Sequence, residues 1–356
     1  MSEEIQPVPL IPGEIQIAGD DLVIFVGAGI SMRVGYPSWW EFSQNVIKQL
    51  IDEGVVNYST KQQLQNLNDP KKILSLCESF AKTKGVVIDF PKTLDKHDWA
   101  DKSNVYESLL KIDCNFVTTN YDHELHNKVP ENIDPLEAPF SKLETKTKER
   151  KSYSRPSEFK LPILDDNNAV VHIHGSLGDP REALIITAYD YLDHYNKGEV
   201  TDFLKDLFKT KLVLFIGYGL AEVEVLEHML RKSDILHSTK RHYALMDFYS
   251  HEEQTMQMQK DYYSENFNVE IIPYSKDFKD FAQIDEVLEN WVDCLTASLS
   301  KHLDFIEGVL EREENPWSQE DRDLLSRLKS HPELCKFFFK KVRSLKWLAP
   351  LMAEGY

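Results

Sequence analysis

Asp21 to Ser31 reads DLVIFVGAGIS, and this stretch constrains the fold more than any other part of the chain. An unbroken apolar run, Leu22 to Val26, stands between an aspartate and a glycine. A run without polar alternation suits a strand covered on both faces, as in the parallel sheets of α/β proteins. Gly27, Ala28 and Gly29 then break the strand, and Ile30 and Ser31 open a helix. Such a turn lets backbone N–H groups face a pyrophosphate at a helix N-terminus, where the helix dipole favours negative charge. Gly27 supplies the turn, Gly29 removes a Cβ that would block the approach, and Ser31 adds a hydroxyl donor. The same kind of turn also serves plain packing, so alone it specifies a fold before it specifies a ligand.

Three further segments share the pattern. Asn115 to Asp122 reads NFVTTNYD, Val170 to Gly175 reads VVHIHG, and Leu212 to Leu220 reads LVLFIGYGL. Each is a short buried strand ending in polar residues or glycine. Open parallel sheets bind ligands beyond the carboxyl ends of their strands. Four such ends in one chain describe a pocket. Between and after these strands the pattern turns helical, and strands alternating with helices imply a parallel sheet. The expected fold is therefore α/β, a Rossmann-like parallel sheet with helices on both faces.

The organisation around that core follows from composition. Residues 1–20 read as a proline-punctuated tail, and residues 21–280 as the α/β domain that holds the pocket. Phe42, Val46, Ile47 and Leu50 form one helical stripe with Gly54 as its stop. Helical patterns continue to about residue 112, so residues 38–112 read as a helical insertion. Residues 128–168 lack periodicity and carry Lys142, Lys146, Lys148, Arg150, Lys151, Arg155 and Lys160. This irregular basic loop is either a solvated connection or a lid, regulatory element or partner contact beside the pocket. GDPREALIIT after His174 reads as a turn and a strand, followed by helices near Tyr189–His194 and Val200–Lys209. Helix Glu222–Arg231, strand His242–Met246, helix Glu252–Tyr263 and strand Val269–Pro273 complete the alternation. Residues 281–356 read as a C-terminal helical region. There Ser318 is a helix cap, Leu324, Leu325 and Leu328 form a stripe, and Phe337, Phe338, Phe339, Trp347 and Leu348 crowd together. Three consecutive phenylalanines cannot face one side, which favours an oligomer or partner contact over simple packing.

The formal net charge of −18 argues against a free nucleic-acid-binding face, because phosphate neutralisation needs clustered cations. The first residues show no basic, then apolar, leader, and no run approaches the roughly 20 apolar residues that span a bilayer. Four scattered cysteines, Cys77, Cys114, Cys294 and Cys335, suit a reducing cytoplasm.

GAGIS, TTNYD, HG and GYG, in this order over roughly residues 21–275, resemble the sirtuin superfamily. The resemblance implies that the GAG loop, Gly27 to Gly29 with Ser31, cradles the pyrophosphate of NAD. It implies that Asn120 sits by the nicotinamide ribose, that Asp122 stands at the aspartate of the family's TQNID motif, and that His174 acts as a base on ribose hydroxyls. Gly217, Tyr218 and Gly219 occupy the place of a later phosphate-binding G-S/T-S turn. The spacing of about ninety residues between the first two motifs leaves room for the helical insertion. Protein-deacylating sirtuins also carry a CxxC…CxxC zinc ribbon that holds a tetrahedral metal through four thiolates. No cysteine here is paired as CxxC, so no structural zinc is expected and deacylation is in doubt. Thr119 and Tyr121 replace the glutamine and isoleucine of TQNID, and GYPSWW, Gly35 to Trp40, stands where GIPDFR is usual. These variants resemble the prokaryotic sirtuin-like NADases of antiphage defence. Such proteins occur beside partners such as HerA-like ATPases, so a homo-oligomer or a defence partner is expected here too.

The residue chemistry leaves alternatives beside each of these roles. A carboxamide such as Asn120 can orient a ribose or a water, and a histidine such as His174 can accept a proton near neutral pH. Asn120 and Asp122 also suit a turn or a helix cap. His172 and His174 face one side of a strand, but no third metal ligand is evident, and His172 reads as a core histidine. Tyr218 can stack on a ligand or only pack. One of Trp39 and Trp40 caps the core while the other covers a cofactor. Asp247 is either a ribose-binding acid at a strand end or a turn aspartate. The leading reading is an NAD hydrolase that releases nicotinamide and ADP-ribose. The alternatives are an NAD-dependent deacylase or ADP-ribosyltransferase, and a non-catalytic module that senses NAD or ADP-ribose.

Overall fold

The computed structural model describes residues 5–16, 18–96, 103–126, 129–130, 147–148, 150–165, 168–220, 222–229 and 241–296. Contacts divide the chain into two units, one of Met1–Pro9 with Asp20–Glu289 and one of Leu10–Gly19 with Asn290–Tyr356. The first unit is built on seven strands: β1 Leu22–Val26, β2 Asn115–Thr118, β3 Lys151–Tyr153, β4 Ala169–His172, β5 Leu212–Ile216, β6 His242–Phe248 and β7 Val269–Ser275. All neighbours pair parallel, in the order β3-β4-β2-β1-β5-β6-β7. The expected Rossmann-like α/β architecture is present.

Burial explains why the apolar runs become strands. Every residue of β1 and of β5 is buried. In register, Val26 lies beside Thr118 on one side and beside Ile216 on the other. The chain moves from β1 to β2 on one flank, then crosses back after β4 to place β5 on the opposite flank. That reversal opens a crevice beyond the carboxyl ends of β1 and β5, which is where such sheets bind ligands.

The insertion is helical, as its pattern implied. After helix α1 (Ala28–Arg33) come α2 (Trp39–Asp52), α3 (Tyr58–Gln65), α4 (Pro70–Lys84) and α5 (Val105–Leu110). Ser38 and Glu41 close a capping box at the start of α2: the Glu41 N–H donates to Ser38 Oγ, and the Ser38 N–H donates to Glu41 Oε2. Phe42, Val46, Ile47 and Leu50 of α2 are buried together with Ile73, Leu74, Cys77 and Ala81 of α4. Gly54 and Gly85 follow these helices at positive φ, the left-handed turn that glycine adopts without steric cost. Helices α6 (Ala188–Tyr195), α7 (Gly198–Thr210), α8 (Glu253–Phe267) and α9 (Gln283–Thr296) follow in order. Part of the N-terminal stretch is tied to the sheet, since the Ser275 N–H donates to the Gln6 carbonyl at 2.8 Å. In the second unit, Gly13–Gln16 forms one helical turn, and Gln16 Nε2 donates to the Ile11 carbonyl.

Two local readings are corrected. ALIIT is not a strand: Arg181–Ala183 is a 3-10 turn, and Leu184 to Ile186 are buried without joining a ladder. Their hydrogen bonds go elsewhere. The Ile185 N–H donates to the His174 carbonyl at 3.0 Å, and Arg181 Nη1 donates to the Leu184 carbonyl at 2.8 Å. Nor is the basic segment wholly irregular, because Lys151–Tyr153 forms the edge strand β3 against β4. Three residues are too few for a period to emerge from the sequence. Arg150, counted there among solvated cations, is buried. Its guanidinium donates to the Cys114 carbonyl at 2.7 Å and lies 4.5 Å from the Phe116 ring centre. The Ser318 cap, the leucine stripe and the cluster from Phe337 to Leu348 lie outside the described residues. Among the described residues, no helix is long and apolar enough to cross a membrane.

Candidate active site

The two glycine turns cross each other at the mouth of the crevice. The Gly27 N–H donates to the Ile216 carbonyl at 3.0 Å, and the Gly29 N–H donates to the Gly217 carbonyl at 2.9 Å. A Cβ on Gly27 would sit 2.5 Å from the Gly217 oxygen, and one on Gly29 would sit 2.9 Å from the same atom. Gly217 has φ +62°, and a Cβ there would meet Ile30 at 2.6 Å. These three glycines are therefore required by the close approach of two backbones. The Gly29 N–H is already used by that crossing and is not directed at a ligand. Gly219 differs: it is exposed, and a Cβ would meet nothing within 4 Å.

Beyond the crossing lies a cleft of about 740 Å³. Ala28, Gly29, Gly217, Tyr218, Gly219 and Asp247 line it, as do Trp39 at the start of α2, Lys71 on α4 and Tyr191 on α6. Glu222, Met246, Tyr274 and Phe281 complete much of the wall. Ala28, Trp39 and Thr119 also line a smaller recess of about 50 Å³, whose other residues include Ser31, Tyr36, Asn120, Tyr121 and Asp122.

The recess holds the polar end of β2. The Asn120 side chain donates from Nδ2 to the Gly27 carbonyl at 2.9 Å, which ties the end of β2 to the first turn. The Asn120 backbone carbonyl accepts from His172 Nδ1 at 2.9 Å. A carbonyl only accepts, so His172 carries its hydrogen on Nδ1 and offers a lone pair at Nε2. The 2.7 Å contact to His126 Nε2 is then donated by His126. Burial pushes both imidazoles down to about 4. His172 is thus the core histidine expected, and it also holds the Asn120 backbone. Asp122 is buried and accepts from Ser31 Oγ at 2.6 Å and from Tyr106 OH at 3.2 Å. Burial raises its carboxyl above the ordinary range, while these donors pull the other way. The Ser31 hydroxyl is therefore committed to Asp122.

His174 lies deeper than its sequence position suggested. It is fully buried and lines neither cavity. Its Nε2 meets Tyr195 OH at 2.8 Å, and its ring packs edge-on against Tyr191. Burial first, then the neighbouring His194 and Lys71, push its imidazole well below the ordinary value, so it is neutral. Gly175 follows it at φ +83° and turns the chain away. Tyr218 packs its ring on Phe25 and Phe215 and donates its hydroxyl to Glu222 Oε2 at 3.1 Å. Trp39 both packs on the core and reaches the cleft, while Trp40 is 39% exposed and lines neither cavity, so the two tryptophans do not share these roles as expected. Asp247 lies one residue before the end of β6 and accepts from Lys276 Nζ at 2.6 Å.

Sequence reasoning missed Glu222, Lys71, Tyr191 and Tyr106. Glu222 follows the Gly217 turn by five positions and could have been suspected from that nearness. Lys71 and Tyr106 come from helices read only as an insertion, with no local signal.

Residues 115–272 match the SIR2-like domain family. The match runs from the start of β2 into β7 and includes Asn120, Asp122, His174, Gly217 to Gly219 and Asp247. The Gly27 turn precedes the matched span and is bound to it by the pairing of β1 with β2 and β5. "Defense-associated sirtuin 2" of Bacillus subtilis is 24% identical to this chain over 213 residues. That alignment covers 57% of this chain but only 18% of the relative, so the chain corresponds to a small part of it. Among the described residues, no group of three His, Cys, Asp or Glu side chains is arranged to hold a metal ion. Cys77 and Cys114 are buried, and burial pushes both thiols up to about 12.

Proposed function

We propose that the SIR2-like domain hydrolyses NAD at the nicotinamide–ribose bond, releasing nicotinamide and ADP-ribose, and that it serves as an NAD-depleting effector of prokaryotic antiviral defence. The observation that carries the reading is convergence. Two crossed glycine turns line the cleft, and Asn120 and Asp122 line the recess beside it, all at the carboxyl ends of neighbouring strands, with His174 behind Tyr191 of the cleft wall. A volume of about 740 Å³ falls within the usual range for small-molecule sites, about 300–1,000 Å³. The bare Gly219 turn, the apolar wall of Trp39 and Met246, and the carboxylates Glu222 and Asp247 suit a dinucleotide with two riboses and a pyrophosphate. The defence role is supported by the similarity to a defence-associated sirtuin.

The chemistry asked of the protein is modest. The pyridinium charge already favours departure of nicotinamide, and the developing charge on the sugar is oxocarbenium-like. The recess beside Asn120 and Asp122 suits the nicotinamide end, where Asn120 orients the ribose. The apolar wall excludes bulk water, and neutral His174 stabilises the polar arrangement beneath the cleft. Positioning in such a site can supply several kcal/mol of the barrier, roughly 7–11 at its best. Control of an NAD-depleting enzyme is assigned to assembly, either with itself or with a partner such as a HerA-like ATPase.

The test is nicotinamide release from NAD by the purified chain, with and without an acylated peptide. Hydrolysis without peptide supports the reading, and peptide-dependent release points to deacylation. NAD binding without release points to a sensor. Asn120→Ala and His174→Ala should each abolish most turnover. Wild-type turnover in either folded variant would refute their roles. Metal analysis should find no zinc, and about one zinc per chain would reopen deacylation.

A further inference from the structure

We propose that Glu222 is a catalytic residue of this cleft, the base that takes the proton of the water adding to the sugar carbon. The inference rests on the NAD-hydrolysis reading above. In that reaction the C–N bond breaks with its electron pair leaving on nicotinamide, which departs neutral. The water oxygen bonds to the sugar carbon and must release one proton. No oxidant or reductant is needed, and the proton is the only species left to place.

The geometry selects Glu222 over its neighbours. His174 lines neither cavity, and its Nε2 is occupied by Tyr195 OH at 2.8 Å. Glu222 lines the cleft, keeps 20% side-chain exposure and brings Oε2 to 4.0 Å from His174 Nε2. Three other carboxylates line the same cleft, and each has a structural partner. Glu224 accepts from Lys71 at 2.7 Å, Asp247 from Lys276 at 2.6 Å, and Asp69 caps α4 through the Lys72 N–H. Glu222 accepts from a phenol, Tyr218 OH, at 3.1 Å.

The surroundings tune it for proton transfer. Tyr121, Tyr191, Tyr195 and Tyr218 all feel its charge, as their phenols are raised by burial and by Glu222. Burial among these rings pushes the Glu222 carboxyl up to about 7, against the opposing pull of Tyr218 OH and Lys71 and with Glu224 adding to the rise. His174, the remaining group beside it, is neutral. A carboxylate poised near neutrality accepts a proton from water far better than an ordinary one.

The experiment measures nicotinamide release by the full chain from pH 5.5 to 9, with NAD binding followed by calorimetry. For wild type, kcat/KM should rise through an acid limb near pH 7. Glu222→Gln should lower kcat by about 10²–10⁴-fold with KM within about threefold, and should abolish the limb. Tyr218→Phe keeps the ring but removes the donor, so its limb should move to higher pH. A Glu222→Gln enzyme with kcat within threefold of wild type and the same limb overturns the inference while the NAD-hydrolysis reading stands. If wild type binds NAD but releases no nicotinamide, that reading fails and this inference falls with it. Should Glu222→Gln not fold, an unmoved limb in Tyr218→Phe is the overturning result.

Discussion

Glutamine in place of Glu222 should make this protein more stable at alkaline pH, even though it removes a carboxylate from the cleft. Burial raises the Glu222 carboxyl from an ordinary 4.5 to about 7. Below pH 4.5 the folded and unfolded chains both hold the proton, and the carboxyl imposes no penalty. Between pH 4.5 and 7 the folded chain keeps a proton that the unfolded chain has released, so stability falls as pH rises. Above pH 7 the loss is complete. A difference of about 2.5 pKa units at 1.36 kcal/mol each amounts to about 3 kcal/mol. Glutamine has the same shape, can still accept from Tyr218 OH, and does not titrate. The assay is urea unfolding of wild type and Glu222→Gln at pH values from 4.5 to 8.5. The same histidines and other acids are present in both chains, so they cancel in the difference. That difference should grow by about 3 kcal/mol in favour of the variant as pH rises. A difference flat to within about 0.5 kcal/mol would refute the account of Glu222 as a carboxyl destabilised by its aromatic surroundings.

Other substitutions separate packing from binding. Gly217→Ala forces a Cβ to 2.6 Å from Ile30 at positive φ and should cost about 2–4 kcal/mol, whereas Gly219→Ala meets open space and should stay within about 0.5 kcal/mol by the same unfolding assay. Arg150→Ala strips the donor from the Cys114 carbonyl and should cost about 2–3 kcal/mol; thermal melts indistinguishable from wild type would return Arg150 to the solvated surface. Because His172 is held down near 4 by burial, the stability it protects is present above pH 6.5 and is lost as pH falls towards 4. His172→Gln should therefore lose about 3 kcal/mol less than wild type between pH 7 and 4, and equal losses in urea titrations would contradict the buried neutral pair with His126.

Local sequence carried the fold because local physics decides it. LVIFV and LVLFI are buried on both faces, and a strand so placed has no polar face to show. Phe42, Val46, Ile47 and Leu50 repeat with the helical period, and Gly54 ends their helix at a φ that glycine tolerates. The glycine turns, Asn120, Asp122 and His174 were legible as strand ends for the same reason. Strand β3 was not, because an edge strand of three residues leaves no period to read. What each of these residues touches is decided by neighbours distant in sequence. Gly29 is a glycine because Gly217 crosses it, Ser31 is spent on Asp122, and His174 lies beneath Tyr191 and beside Tyr195. Glu222 is an ordinary acid on paper. Its raised proton affinity comes from burial beside Tyr121, Tyr191, Tyr195 and Tyr218, drawn from three separate segments, which removes a charge from the water that would otherwise stabilise it. Periodicity and backbone preference are written along the chain, but desolvation and the crossing of two turns are properties of the sheet order, and that order exists only once the chain has folded.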